Sequence, residues 1–164
     1  ANLVESLKTL INFDLEKSKA QLKCDLEVDK IFADEDSVKR ALLNLIINSL
    51  EALGDNDEQH REIELLSHSG EGGVWLTVRD HGAGMTEEQK EQAFEPFYTG
   101  KPTGTGLGLA LVHKTMREHE GKITLDSVCG KGTTVSLFFP NYVAGKRADQ
   151  EDPDIAAEGF ASPA

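Results

Sequence analysis

Cysteine is scarce in this sequence: two residues in 164, Cys24 and Cys129, far apart and without CxxC or Cys/His spacing. That excludes a disulfide framework, offers no structural zinc pattern and suits a reducing compartment. Long apolar runs are missing too. No stretch approaches the roughly 18 to 20 consecutive apolar residues that cross a bilayer, and the start ANLVESLKTL has neither the basic flank nor the apolar core of a signal peptide. The expectation is a soluble, cytoplasmic segment with no direct membrane contact, whose full-length protein could still be anchored elsewhere. Positive charge is in deficit, with 17 Lys and Arg against 29 Asp and Glu, a net charge of -12. Such a chain repels a phosphodiester backbone, which argues against nucleic-acid binding. Any phosphate it holds must be held by local geometry.

What remains is enough for one packed domain, since 38% of the residues are hydrophobic. Composition changes after Pro140: residues 141–164 carry two basic against five acidic side chains, two prolines and few large apolar groups. The expected division is a domain at 1–140 and an acidic, disordered tail or linker at 141–164. The start at Ala1 without a Met, directly into a helical pattern, reads as a piece of a longer protein.

Leu3, Leu7, Leu10, Ile11 and Leu15 recur at helical spacing, and QLKCDLEV at 21–28 alternates as a half-buried strand. Asp34 or Asp36 caps a second helix, SVKRALLNLIINSLEAL, which Gly54 stops. REIELLSH and VWLTVRD form a predicted hairpin across SGEGG. Thr86 with Glu88 and Gln89 opens a short helix to about Phe94, a Gly/Pro/Thr-rich loop covers 95–105, and a helix then runs to Gly121. KITLDSV and TTVSLFF close the pattern across CGKG. Clustered rather than alternating elements predict an α+β fold, a two-layer sandwich with helices on one face of a mainly antiparallel sheet.

Three segments carry chemistry. Asn44 and Asn48 lie four apart on one face of the second helix, with Arg40 and Glu51 along the same line. They are either a solvated stripe or amides kept for a ligand or metal, because Asn is a poor interior helix residue. Asp80-His81-Gly82-Ala83-Gly84-Met85 follows a predicted strand; an Asp there can accept from an amine while the glycines let backbone approach a flat ligand, although surface turns share this composition. Gly104-Thr105-Gly106-Leu107-Gly108-Leu109 leads into a helix whose first amides and dipole can bind phosphate. The alternative is a flexible hinge, but glycine inside a helix costs about 1 kcal/mol relative to Ala. Neither a Walker loop nor a GxGxxG dinucleotide fingerprint is present.

Taken together and in order, these segments resemble the boxes of the histidine-kinase catalytic domain, within the superfamily of gyrase, heat-shock chaperone and mismatch-repair ATPases. NLIINSLEAL is similar to the N box, DHGAGM to the first glycine box, FEPFYT to the phenylalanine box, GTGLGLALV to the second glycine box, and GKGTTVSLFFP to the closing strand pair. EPFYTGKPTGTGLGLALV resembles the nitrogen-regulator type of sensor kinase. The resemblance covers roughly residues 1–140 and implies a Bergerat-type fold that uses ATP and Mg2+. It implies that Asn48 holds the magnesium on the phosphates, with Asn44 touching phosphate or orienting that network. Asp80 takes the adenine amino group, Gly82 and Gly84 shape the pocket floor, and Thr133 or Thr134 bonds near adenine through a water. The loop 95–105 is then a mobile lid with Lys101 as its cation, and Gly104, Thr105, Gly106, Leu107 and Gly108 form the hinge and phosphate turn. Phe94 and Phe97 anchor the lid.

Two departures stand out. The ATP-hydrolysing relatives carry a Glu four residues before the metal-binding Asn; this chain has Asn44, which cannot serve as that base. Many histidine kinases have Lys three residues after it, where this chain has Glu51. No histidine among His60, His68, His81, His113 and His119 matches the acceptor pattern. The resemblance therefore implies partners outside the chain: a histidine-bearing dimerisation domain of the same protein, homodimeric at full length, and a response-regulator receiver domain. The alternatives are an anti-sigma-factor type of serine kinase, or a nucleotide-sensing module without catalysis.

Overall fold

The computed structural model describes residues 3–28, 30–54, 61–95, 108–143 and 146–147. Its helices are α1 (Leu3–Ser18), α2 (Glu35–Leu53), α3 (Glu87–Gln92) and α4 (Gly108–Glu118). Its strands are β1 (Gln21–Leu26), β2 (Glu62–Gly70), β3 (Gly73–Asp80), β4 (Lys122–Val128), β5 (Gly132–Pro140), β6 (Tyr142–Val143) and β7 (Lys146–Arg147). The first five strands form one sheet in the order β1-β2-β3-β5-β4. Only the β1–β2 pair is parallel, joined across α2 as a parallel pair requires; the other neighbours are antiparallel. The α+β, mainly antiparallel architecture expected from the sequence is the one observed.

The core lies between the sheet and α1, α2 and α4. Alternate residues of β3, Val74, Leu76 and Val78, meet Val135, Leu137 and Phe139 of β5 on the inner face. Against them pack Leu3, Leu7 and Ile11 of α1, Leu42, Leu45 and Ile46 of α2, and Val112 and Met116 of α4. Leu10 departs from expectation: it is 56% exposed. The buried stripe of α1 is set by Leu3, Leu7 and Ile11 with Val4, one residue off the line that Leu10 continues.

Helix ends follow the cues in the sequence, with one exchange of roles. Asp34 caps α2, its carboxylate accepting from the Ser37 N–H at 2.9 Å, and Gly54 closes the helix at φ 46°. Thr86 and Gln89 form a full capping box on α3, which ends at Gln92 rather than Phe94. After α4 the left-handed residue is Glu120, at φ 54°, not Gly121. Gly121 is needed instead for closeness, because a Cβ there would strike the Phe138 carbonyl. β1 also ends earlier than the alternating pattern suggests: Ser67 takes over, receiving the Val28 N–H at 3.1 Å and donating to the Val28 carbonyl at 2.8 Å. Arg61 ties the ends of α1 and α2 together, donating to the Ser18 carbonyl at 2.6 Å and the Gly54 carbonyl at 2.9 Å. Beyond Pro140, β6 and β7 pair as a short ribbon, and the remainder of the expected tail lies outside the described residues. No helix among the described residues is long and apolar enough to cross a membrane.

Candidate functional site

The C-terminal half of α2, the end of β3, the loop after it, the β4–β5 hairpin and the start of α4 meet in one place. Asp80 sits at the last position of β3, opposite Thr133 of β5, and is 4% exposed. Its Oδ1 accepts the Gly82 N–H at 2.9 Å. Burial pushes its carboxyl above the usual carboxylate range, and hydrogen bonds from the Gly82 N–H, the Ser49 hydroxyl and the Thr133 N–H, with nearby His81, oppose that rise. Strand alternation sets one of the two threonines beside Asp80. Thr133 lies on the inner face with Val135 and Leu137, whereas Thr134 pairs with Arg79 on the outer one.

Gly82 and Gly84 are required for different reasons. A Cβ on Gly82 would run into the Ala52 backbone of α2, and the Ala83 N–H donates to the Ala52 carbonyl at 2.9 Å. Gly84 has φ 69° and lies against the Val128 carbonyl, while the Gly130 N–H donates to the Ala83 carbonyl at 2.6 Å. The loop is thus clamped between α2 and the β4–β5 turn, so that its backbone lies beside Asp80.

Asn44 and Asn48 are both half-buried on α2. Asn48 stands over the first residue of α4: a Cβ on Gly108 would lie 3.4 Å from its Nδ2. The structure therefore joins Asn48 to the glycine-led start of α4, as the segment order suggests. Lys101, Gly104, Thr105, Gly106 and Leu107, with Phe97 and Tyr98, fall outside the described residues. Phe94 stacks on His113 of α4, ring centroids 5.6 Å apart. Cluster-type metal sites are absent: no group of three or more His, Cys, Asp or Glu comes together among the described residues.

Two residues of the site escape sequence reasoning. Ser49, 5% exposed, is a neighbour of Asn48 that reaches Asp80. Ser127 of β4, also 5% exposed, accepts the Met85 N–H at 2.8 Å and contacts Thr133 Oγ1 at 2.8 Å. Nothing in their spacing marks them; only the strand register brings Ser127 to Thr133.

Residues 33–143 match the family model described as "Histidine kinase-, DNA gyrase B-, and HSP90-like ATPase". The chain is 34% identical over 146 residues to the sensor histidine kinase ZraS of Escherichia coli K12, covering 88% of this chain and 30% of that protein. It is 33% identical over 133 residues to sporulation kinase E of Bacillus subtilis, covering 80% of this chain and 18% of that protein. The chain thus spans a third or less of the length of these relatives. Among solved structures, the nucleotide-free catalytic domain of histidine kinase ThkA superposes with a TM-score of 0.72 at 29% identity, over 84% of this chain and 90% of that one.

Proposed function

This chain belongs to the family of histidine kinase-, DNA gyrase B- and HSP90-like ATPases, and from that membership we propose that it binds Mg-ATP and presents the γ-phosphoryl group to a histidine on a separate dimerisation domain. A response-regulator aspartate is the next acceptor. The observation that carries this proposal is the buried Asp80–Thr133 pair set between the Gly82–Gly84 loop and α2.

The residues suit an adenine nucleotide. A buried carboxylate already held by N–H and O–H donors can accept one more hydrogen bond, and the exocyclic amine of adenine supplies it. Gly82 and Gly84 let the loop pack tightly between α2 and the β4–β5 turn, which keeps its backbone beside Asp80. Asn48 offers an amide oxygen beside the start of α4, whose first amides have no intrahelical partners and favour an anion. Lys101 supplies a cation for the γ-phosphate, and the residues 104–108 supply backbone amides. Magnesium, arriving with the nucleotide, neutralises phosphate charge. Asn44 carries an amide that takes no proton from water, so the site holds ATP for a better nucleophile rather than hydrolysing it quickly.

The test supplies the missing acceptor. Mixed with Mg-ATP and the dimerisation domain of its own full-length protein, the chain is expected to place acid-labile phosphate on that domain's histidine, with Asn48→Ala abolishing the transfer. Acid-stable phosphate on a serine would assign the chain to the anti-sigma type, and binding without any transfer would leave a nucleotide sensor.

A further inference from the structure

Three buried polar side chains stand in one cross-strand row: Asp80 of β3 faces Thr133 of β5, which faces Ser127 of β4. Ser127 Oγ has three neighbours. The Met85 N–H donates to it at 2.8 Å, it donates to the Gly132 carbonyl at 3.1 Å, and Thr133 Oγ1 lies 2.8 Å away. A hydroxyl has one proton and two lone pairs. With its proton on Gly132 and one lone pair taken by Met85, Ser127 can only accept from Thr133. The reverse arrangement, Ser127 donating to Thr133, forfeits the Gly132 hydrogen bond in a site where both hydroxyl-bearing residues are at most 9% exposed. The Thr133 proton is therefore committed to Ser127, and Thr133 Oγ1 has only lone pairs left to offer.

Building on the adenine-nucleotide site proposed above, we infer that Ser127 is a positioning residue that fixes the polarity of base recognition. By taking the Thr133 proton it makes Asp80 and Thr133 an all-acceptor pair, which admits an amino group, directly or through a water, and rejects a keto oxygen in the same place.

ADP and IDP differ at this position by an amino against a keto group. Calorimetric affinities for both should favour ADP in the unmodified chain. Ser127→Ala should cut that preference about tenfold, the size of one mismatched buried hydrogen bond. The preference does not vanish, because Asp80 remains. Ser127→Thr, which keeps a hydroxyl, should restore it. In a Thr133→Val background, Ser127→Ala should no longer move the ADP/IDP ratio, although the loss of the Met85 hydrogen bond still weakens both ligands. If Ser127→Ala weakens ADP and IDP equally, the role is structural and the inference is wrong. Should the alanine variant fail to fold, Ser127→Cys, a weaker hydrogen-bonding group of similar size, must lower the ratio in the same direction, and an unchanged ratio overturns the inference. An unmodified chain that binds neither nucleotide would instead remove the adenine site itself.

Discussion

Asp80 carries a charge that the folded chain accommodates poorly. Burial raises its pKa, so the folded state binds the proton more tightly than the unfolded state does. The stability gained from that proton is complete below the unfolded pKa and is lost as pH rises through the folded one. Relative to the neutral carboxyl, the ionised form is the costlier one for the ligand-free protein. Asp80→Asn is therefore expected to raise the melting temperature of the ligand-free chain at pH 7, with the difference shrinking as pH falls towards about 4. The same variant should lose adenine nucleotide binding. A lower melting temperature at pH 7 would show that the carboxylate stabilises the fold. Asp80 is legible in the sequence because it ends a strand and precedes two spaced glycines. Ser49 and Ser127 are not, because a buried serine looks like any other until register and helix packing show what its hydroxyl meets.

The elements divide in the same way. α2 is legible end to end, since Asp34, the apolar period and Gly54 all act within one helix. The glycine loop is legible as a loop but not as a clamp, because Ala52 and Val128 reach it from different parts of the chain. Gly82→Ala tests that clamp. Its methyl group would meet α2 backbone, which cannot rotate away, so about 1 to 3 kcal/mol of destabilisation is expected in denaturant titration. Unchanged stability would mean that α2 can retreat. The left-handed turn after α4 is a local misreading with a clear cause: Gly121 looks like the conformational stop, yet Glu120 takes the positive φ and Gly121 gives way to the β5 backbone.

Across the whole molecule, charge opposes the ligand that the site is built to receive. A net charge of -12 repels a nucleotide at long range, while the amides at the start of α4, in the role proposed for them, attract it at short range. Salt screens the first effect more than the second, the Debye length falling from about 30 Å at 0.01 M to about 8 Å at 0.15 M. The association rate of Mg-ATP, followed by stopped flow, is expected to rise with ionic strength over that range. A fall would mean that the local positive field reaches well beyond the pocket.

The sheet order also separates local from long-range pairings. The β2–β3 and β4–β5 hairpins pair residues close in sequence, whereas the antiparallel β3–β5 contact and the parallel β1–β2 contact, which α2 crosses over to make, join distant ones. Asn44 and Asn48 ride on that helix, while Asp80, Ser127 and Thr133 belong to the strands it covers. The site thus depends on two contacts between distant parts of the chain, the β3–β5 pairing that sets Asp80 opposite Thr133 and the seating of α2, and nucleotide can bridge its residues only after both have formed. ADP should accordingly leave the refolding rate almost unchanged and slow unfolding, so that a chevron plot shifts on its unfolding limb alone. Acceleration of refolding by ADP would mean that α2 is already seated on the strands at the rate-limiting step.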